Sequence, residues 1–320
     1  TTNGFTTYGT GTIIGTVRYD NNTGADNVSV SFAKSGTFAD NTTTADNGTY
    51  TQDNLSLGTY TISFTKSGFN DASQTATLAT DNQTLIANLN LIASSCASGT
   101  ISGTIKDAVS DSAVSGVSLS VRSGLNTTSG TIVNTGTTDS SGDYSLSSMS
   151  AGWYTVETSK SGYITSLFNV YACGNQADQD TSISTSIASG TMRIVLHWGT
   201  NSGLGVVDSH LTGPDNSTGR FHIYWDGKRE FFYYSNDQTC SGCTAIQKSD
   251  NVSLDHDDYN GAPGTETITI PSGSWRSGTY RYSAHDYTNR ASTNTTKFSL
   301  SGATVKVYYN DTETTYNVPN

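Results

Sequence analysis

The chain has 320 residues, 33% of them hydrophobic and 10% aromatic, and a formal net charge of −11 at pH 7. Its 18 Tyr, 10 Phe and 4 Trp are too many for a disordered chain, and its length allows two or three domains. No basic cluster is dense enough to follow a phosphate backbone, which argues against nucleic acid as a partner, and no apolar run reaches membrane-spanning length.

Apolar residues recur in short alternating runs such as "TYTISF" and "TVKVYY", the period of strands with one buried face. No stretch has convincing helical periodicity. The fold class expected is all-β: tandem immunoglobulin-like or transthyretin-like β-sandwiches followed by a larger C-terminal β-sandwich. The first residue is a threonine, which fits a processed, mature product.

Residues 1–11, "TTNGFTTYGTG", precede the first regular alternation. The segment is Thr- and Gly-rich, reads as extended, and is expected to dock as an added strand on another copy of the chain. Phe5 and Tyr8 would be the polymer contacts, on opposite faces of a regular strand.

Two domains follow, expected over 12–94 and 95–188. "GTIIGTVRYD" at 11–20 mirrors "GTISGTIKDA" at 99–108, and "GTYTQDNLSLGTYTISFTKSGF" at 48–69 aligns without a gap with "GDYSLSSMSAGWYTVETSKSGY" at 142–163. Each unit opens on G-T-I-x-G-T, reaches G-x-Y, and closes on G-x-Y-x-[IV] before K-S-G-[FY]. Tyr60 with Ile62, and Tyr154 with Val156, share one strand face and read as core residues. Gly68 and Gly162 can supply a positive φ at the turn after that strand.

At these residues the chain resembles carboxypeptidase regulatory-like domains, over roughly 13–92 and 99–187. The resemblance implies seven-stranded Greek-key sandwiches that serve extracellular proteins as spacers or binding modules, without catalytic activity. Related pilin-type sandwiches form Lys–Asn isopeptide crosslinks. The opening strands here offer Arg18 and Lys106 without a clear partner carboxylate, so that chemistry is not expected.

Cys96 precedes the second repeat and Cys173 follows its main strands, so a bridge between them would tie the ends of that unit. Cys240 and Cys243 form "CSGC" in a polar loop. With no second C-x-x-C and no helix after the motif, two structural disulfides are expected, which implies an oxidising, extracellular or cell-surface location. Eleven Asn-x-Ser/Thr sequons are candidate glycosylation sites: Asn21, Asn27, Asn41, Asn47, Asn54, Asn82, Asn126, Asn216, Asn251, Asn294 and Asn310. Their number only slightly exceeds what the composition gives by chance.

From about 189 to 320 the composition changes, with all five His and three of the four Trp. "TMRIVLHWG", "VVDSHLTGP", "RFHIYWDG", "EFFYYS", "SLDHDDYNGAPGTETITI", "GTYRYSAHDYTN" and "GATVKVYYN" read as successive strands. The pattern W-G…D-S-H-L…F-H-I-Y…L-D-x-D-D…H-D-Y resembles an uncharacterised β-sandwich domain of secreted prokaryotic proteins, which implies fold and compartment but no mechanism. His285 and Asp286 are adjacent and point to opposite strand faces, so they cannot form a relay. No G-x-S-x-G elbow occurs, although a carboxylate pair such as Asp208 with Glu266 stays open.

"DHDDYNG" places Asp255, Asp257, Asp258 and Asn260 within six residues, ending on Gly261. Ca²⁺ is the cofactor such an oxygen-rich loop would hold, and a solvated acidic turn is the plain alternative. A transition-metal site from Asp208, His210, His222 and His285 is a further reading. The function expected is a non-catalytic extracellular structural or adhesive protein, a filament subunit whose partners are other copies of itself. The alternative is a carbohydrate-binding accessory module, with Trp198, Trp225, Trp275, Tyr233 and Tyr234 as stacking candidates.

Overall fold

A computed structural model of the chain describes residues 9–20, 23–199, 204–292, 297–298, 301–310 and 312–317. The polymer contacts expected at Phe5 and Tyr8, and the sequons at Asn21 and Asn294, lie outside the described residues. The chain divides into two compact units between Ala97 and Ser98.

The first unit contains β1 (Thr10–Arg18), β2 (Ser29–Lys34), β3 (Thr37–Thr43), β4 (Thr49–Ser56), β5 (Gly58–Thr65), β6 (Ala72–Leu78), β7 (Thr84–Ile86) and β8 (Leu89–Asn90). One sheet runs β4-β1-β7, with β8 also on β1, and the other runs β3-β2-β5-β6. The alternation seen in sequence is the alternation of burial. Ile13, Val17, Val30, Phe32, Ile62 and Phe64 are fully buried between the sheets.

β1 begins at Thr10, so the last residues of the expected N-terminal segment belong to this sandwich. The Leu57 N–H donates to the Gly9 carbonyl at 3.2 Å, and the Thr10 N–H donates to Asp81 Oδ1 at 2.9 Å.

The second unit opens with β9 (Gly99–Asp107), β10 (Ser118–Ser123), β11 (Asn134–Thr137), β12 (Asp143–Met149), β13 (Gly152–Ser159), β14 (Ser166–Ala172) and β15 (Thr181–Ile183). Its sheets, β12-β9-β15 and β11-β10-β13-β14, repeat the order of the first sandwich. The repeated residues make the same contacts in both copies. Tyr60 and Tyr154 donate their hydroxyls to the carbonyls of Ser56 and Ser150, four residues back, at 2.8 and 2.9 Å. Tyr50 and Tyr144 donate to the Ala87 and Gln179 carbonyls at 2.6 and 2.5 Å.

The second glycine of G-T-I-x-G leaves room for that last bond. A Cβ at Gly15 would stand 2.2 Å from Ala87 O, and one at Gly103 would stand 2.4 Å from Gln179 O. Gly68 and Gly162 both adopt φ +84°, as the turn requires.

The rest of the second unit is a larger sandwich: β16 (Met192–Trp198), β17 (Val207–Pro214), β18 (Arg220–Ile223), β19 (Glu230–Phe232), β20 (Asn251–His256), β21 (Gly264–Ile270), β22 (Arg281–Asp286), β23 (Thr304–Tyr309) and β24 (Thr312–Asn317). A six-stranded sheet, β19-β20-β21-β16-β23-β24, faces a three-stranded sheet, β18-β17-β22. Ile194, Leu211, Phe221, Ile223, Val252, Leu254 and Ile268 are buried in the core of this sandwich. The single turn of helix α1 (Ala245–Lys248) follows the Cys240–Cys243 disulfide, with Thr244 and Gln247 forming a reciprocal cap.

The six-stranded sheet is covered on its outer face as well. Val195 and Tyr308 pack with Ala108 and Ile164 of the second sandwich. Lys306 Nζ donates to Ser166 Oγ at 2.6 Å and to the Leu167 carbonyl at 2.9 Å. Arg193 Nη1 donates to Ser184 Oγ at 2.8 Å, and Thr267 Oγ1 donates to the Ala108 carbonyl. The boundary expected at 188/189 therefore lies inside one compact unit held by polar as well as apolar contacts.

Candidate functional site

The outer face of the three-stranded sheet collects the ionisable residues of the C-terminal sandwich. Along β17, Leu211 and Gly213 turn into the core, so Asp208, His210 and Thr212 share the opposite face. β22 runs antiparallel beside β17 and sets His285 directly across from Asp208. β18 flanks the other side, with His222 across from Thr212. Asp208, His210, His222 and His285, from three strands, thereby meet on one surface.

His285 Nδ1 lies 3.9 Å from Asp208 Oδ2, and His210 Nδ1 lies 2.9 Å from His222 Nε2. Tyr224 stacks on the rings of both His210 and His222, and His285 meets His210 edge-on. Trp225 packs edge-on against Tyr287, which in turn carries the Arg290 guanidinium 3.8 Å from its ring centre. Asp208 is 2% exposed although it stands on the outer face.

Burial raises the Asp208 carboxyl to about 6; nearby His285 opposes the rise and Asp257 adds to it. Burial lowers His210 to about 4, and the neighbouring His222 and His285 push the same way. His222 is also lowered, by burial and then by Lys228. Beneath Asp208, Glu266 is fully buried and its Oε2 accepts the Ser209 N–H. Burial raises Glu266 to about 9, against the Ser209 hydrogen bond and with the help of Asp257 and Asp208. At neutral pH His210 and His222 are thus neutral and Glu266 is protonated.

Among the described residues, the group of His, Cys, Asp or Glu side chains able to share one ion is Asp208, His210 and His285, whose ligand atoms all lie within 4.8 Å of one another. The acidic loop does not gather in this way. Asp255 accepts from Ser253 and Thr269 on its own sheet, Asp257 faces Arg229 at 3.5 Å, and Asp258 accepts the N–H groups of Asn260 and Thr265. Adjacency in sequence here sends the carboxylates to separate partners.

The other expected sites are placed as follows. Cys240 is bonded to Cys243, Cys96 and Cys173 are likewise disulfide-bonded, and no free cysteine is present. Lys106 has a partner carboxylate after all, Asp111 at 3.0 Å. Asn27, Asn41, Asn47, Asn54, Asn82, Asn126, Asn216 and Asn310 are exposed, and Asn251 is half-buried. Five of these, Asn27, Asn54, Asn82, Asn126 and Asn310, have positive φ, so turn geometry already accounts for asparagine there.

Of the aromatic candidates, Trp198 and Tyr233 are buried, and Trp275 packs on Tyr280 and donates to the Gly190 carbonyl. Trp225 and Tyr234 remain at the surface. Glu266, named above as a possible carboxylate partner of Asp208, does lie close to it, buried beneath the histidine face. Its place on β21, one strand layer away, carries no local signal.

The carboxypeptidase regulatory-like domain matches residues 12–92 and 100–184, together just over half of the chain. The chain belongs to the carboxypeptidase regulatory-like domain family. Both matched segments are the repeated sandwiches, and the C-terminal sandwich lies outside them. No curated protein matches the chain.

Among solved structures, the shaft pilin SpaA from Lactobacillus rhamnosus GG is 16% identical over 56% of this chain and 99% of its own, with a TM-score of 0.24. The streptococcal ancillary pilin is 14% identical over 57% of this chain and 64% of its own, also at 0.24. The Bacillus anthracis TIE protein is 13% identical over 68% of this chain and 43% of its own, at 0.23. Scores this low carry no functional argument.

Proposed function

We propose that this chain is a non-catalytic structural subunit of an extracellular surface assembly, joined to other copies through its N-terminal residues. The observation that carries the reading is the second compact unit. Two sandwiches are fused through a sheet whose outer face is filled by Val195, Tyr308, Lys306 and Arg193. Such a junction resists hinging, which suits a part that transmits force or holds spacing. Complete oxidation of the cysteines supports an oxidising compartment. The carbohydrate-module reading keeps only Trp225 and Tyr234 of its five aromatic candidates at the surface.

β1 begins at Thr10, so the test removes residues 1–8 and leaves the first sandwich whole. The intact chain is expected to form filaments by electron microscopy and to sediment as polymer. The shortened chain is expected to stay folded and monomeric. Assembly by the shortened chain, or a monomeric intact chain at high concentration, would overturn the proposal.

A further inference from the structure

We propose that Asp208, His210 and His285 bind a divalent transition-metal ion of the Zn²⁺ type, with His222 as the outer partner that orients His210. This goes beyond the structural role and does not depend on assembly.

Two buried atoms of this group have no hydrogen-bond partner: Asp208 Oδ2 and His210 Nε2. Buried polar atoms are rarely left so, and each such case asks for a missing partner. The His210–His222 contact occupies Nδ1 of His210, and either tautomer leaves Nε2 unpaired. A metal on Nε2 fixes the choice, because Nδ1–H then donates to His222 Nε2. Metal-bound histidines ordinarily donate their other N–H to an outer acceptor, and here that acceptor is an imidazole nitrogen.

The donor set selects the ion. Two imidazoles and one carboxylate suit Zn²⁺, Cu²⁺ or Ni²⁺, whereas Ca²⁺ wants six or more oxygens. Bonds of about 2.0–2.2 Å in a tetrahedron put donor atoms roughly 3.3–3.6 Å apart. The Asp208–His285 separation of 3.9 Å is therefore slightly open. The His285 side chain is 47% exposed, so it can move inward by the remaining distance and leaves a path for the ion to enter.

The test uses the full chain, freed of metal by chelation and titrated with ZnCl₂ near neutral pH by calorimetry. One Zn²⁺ per chain is expected, with a dissociation constant below about 10 µM. His285→Ala, an exposed change that leaves the core alone, should weaken binding by about 100-fold or more. His222→Gln should weaken it by about 10- to 100-fold, as loss of an outer partner does. Co²⁺ in place of Zn²⁺ should give visible d–d absorption that His285→Ala abolishes. Asp208→Asn is a second check, read only where circular dichroism shows a folded chain. Zn²⁺ binding that is absent, or that survives His285→Ala unchanged, would overturn the assignment.

Discussion

Lys306 offers the sharpest test of whether residues 98–320 act as one body. It is 4% exposed, and its Nζ donates to Ser166 Oγ and the Leu167 carbonyl across the junction, with Glu313 Oε2 3.8 Å away. Burial pulls its pKa below the ordinary lysine value, and Glu313 pulls it partly back. Lys306→Met keeps the length and apolar contact of the stem but removes the donor. Two acceptors then lose their partner, and the Glu313 side chain, 11% exposed, is left without a counter-charge.

Hydrogen bonds to charged groups contribute about 1.5–3 kcal/mol each, and removing one partner of a buried pair costs about 3–5 kcal/mol in all. Taking about 3 kcal/mol, and roughly 2–4 °C per kcal/mol for a unit of this size, the melting temperature should fall by about 6–12 °C. Differential scanning calorimetry of the full chain reads it, and a shoulder should separate as the two sandwiches begin to melt apart. Adding Glu313→Gln should restore part of the loss, because the orphaned carboxylate is then neutral. A single variant within about 1 °C of the parent, or a double variant in which the two losses simply add, would refute the coupling.

Glu266→Gln should flatten the alkaline side of the stability profile. The folded carboxyl, raised to about 9 from 4.5, holds a proton that the unfolded chain releases, so its contribution is full below about 4.5 and is lost as pH rises through about 9. At about 1.4 kcal/mol per unit the loss is on the order of 3 kcal/mol by neutral pH, and parallel melting profiles of parent and variant between acid and alkaline pH would show that Glu266 does not titrate there. Gly103→Ala should destabilise the second sandwich by roughly 1–3 kcal/mol, because the new methyl meets the Gln179 carbonyl, and Tyr144→Phe by about 1 kcal/mol; a neutral Gly103→Ala in urea denaturation would count against the shared geometry. Non-reducing peptide mapping is expected to return Cys96 linked to Cys173 and Cys240 linked to Cys243, and any other pairing would contradict the expected framework.

The repeated sandwiches were legible because their signals are local. Glycine turns, period-two alternation and the G-x-Y tyrosines each act within a few residues, and Tyr60, Ile62, Tyr154 and Val156 are buried as that pattern requires. β24 was not legible, since "TETTYN" is polar on both faces and alternation has nothing to mark. The junction was hidden for a related reason. Arg193 and Lys306 alternate with apolar residues along their strands and so read as solvent-facing, although their face is covered by another domain. The acidic loop sets Asp255, Asp257, Asp258 and Asn260 close in sequence, yet Asp255 and Asp257 take partners outside it, and a register shift falls between Leu254 and His256. The histidine face shows the reverse case. Only the D-x-H spacing of 208 and 210 is local, while His222 and His285 arrive through strand order.

Two histidines of the C-terminal sandwich show why a shifted pKa does not by itself mark a site. His197, on the covered face of the six-stranded sheet, is lowered to about 4 by burial and then by Lys306. Its Nδ1 meets Thr265 Oγ1 at 3.1 Å, so the neutral ring serves the junction as a hydrogen-bonding group. His210 is lowered to the same value on the opposite sheet, yet its Nε2 is buried and unpaired beside the unpaired Asp208 Oδ2. The shift is alike because both rings are desolvated. What differs is the unmet bonding capacity, an imidazole nitrogen beside a carboxylate oxygen, which a bound cation would meet at both atoms together. His197→Ala should therefore lower the melting temperature without changing Zn²⁺ affinity, whereas His285→Ala should remove Zn²⁺ affinity with little effect on the metal-free melting temperature. If the two variants behaved alike in both measurements, unmet bonding capacity would not be what separates a structural histidine from a ligand in this fold.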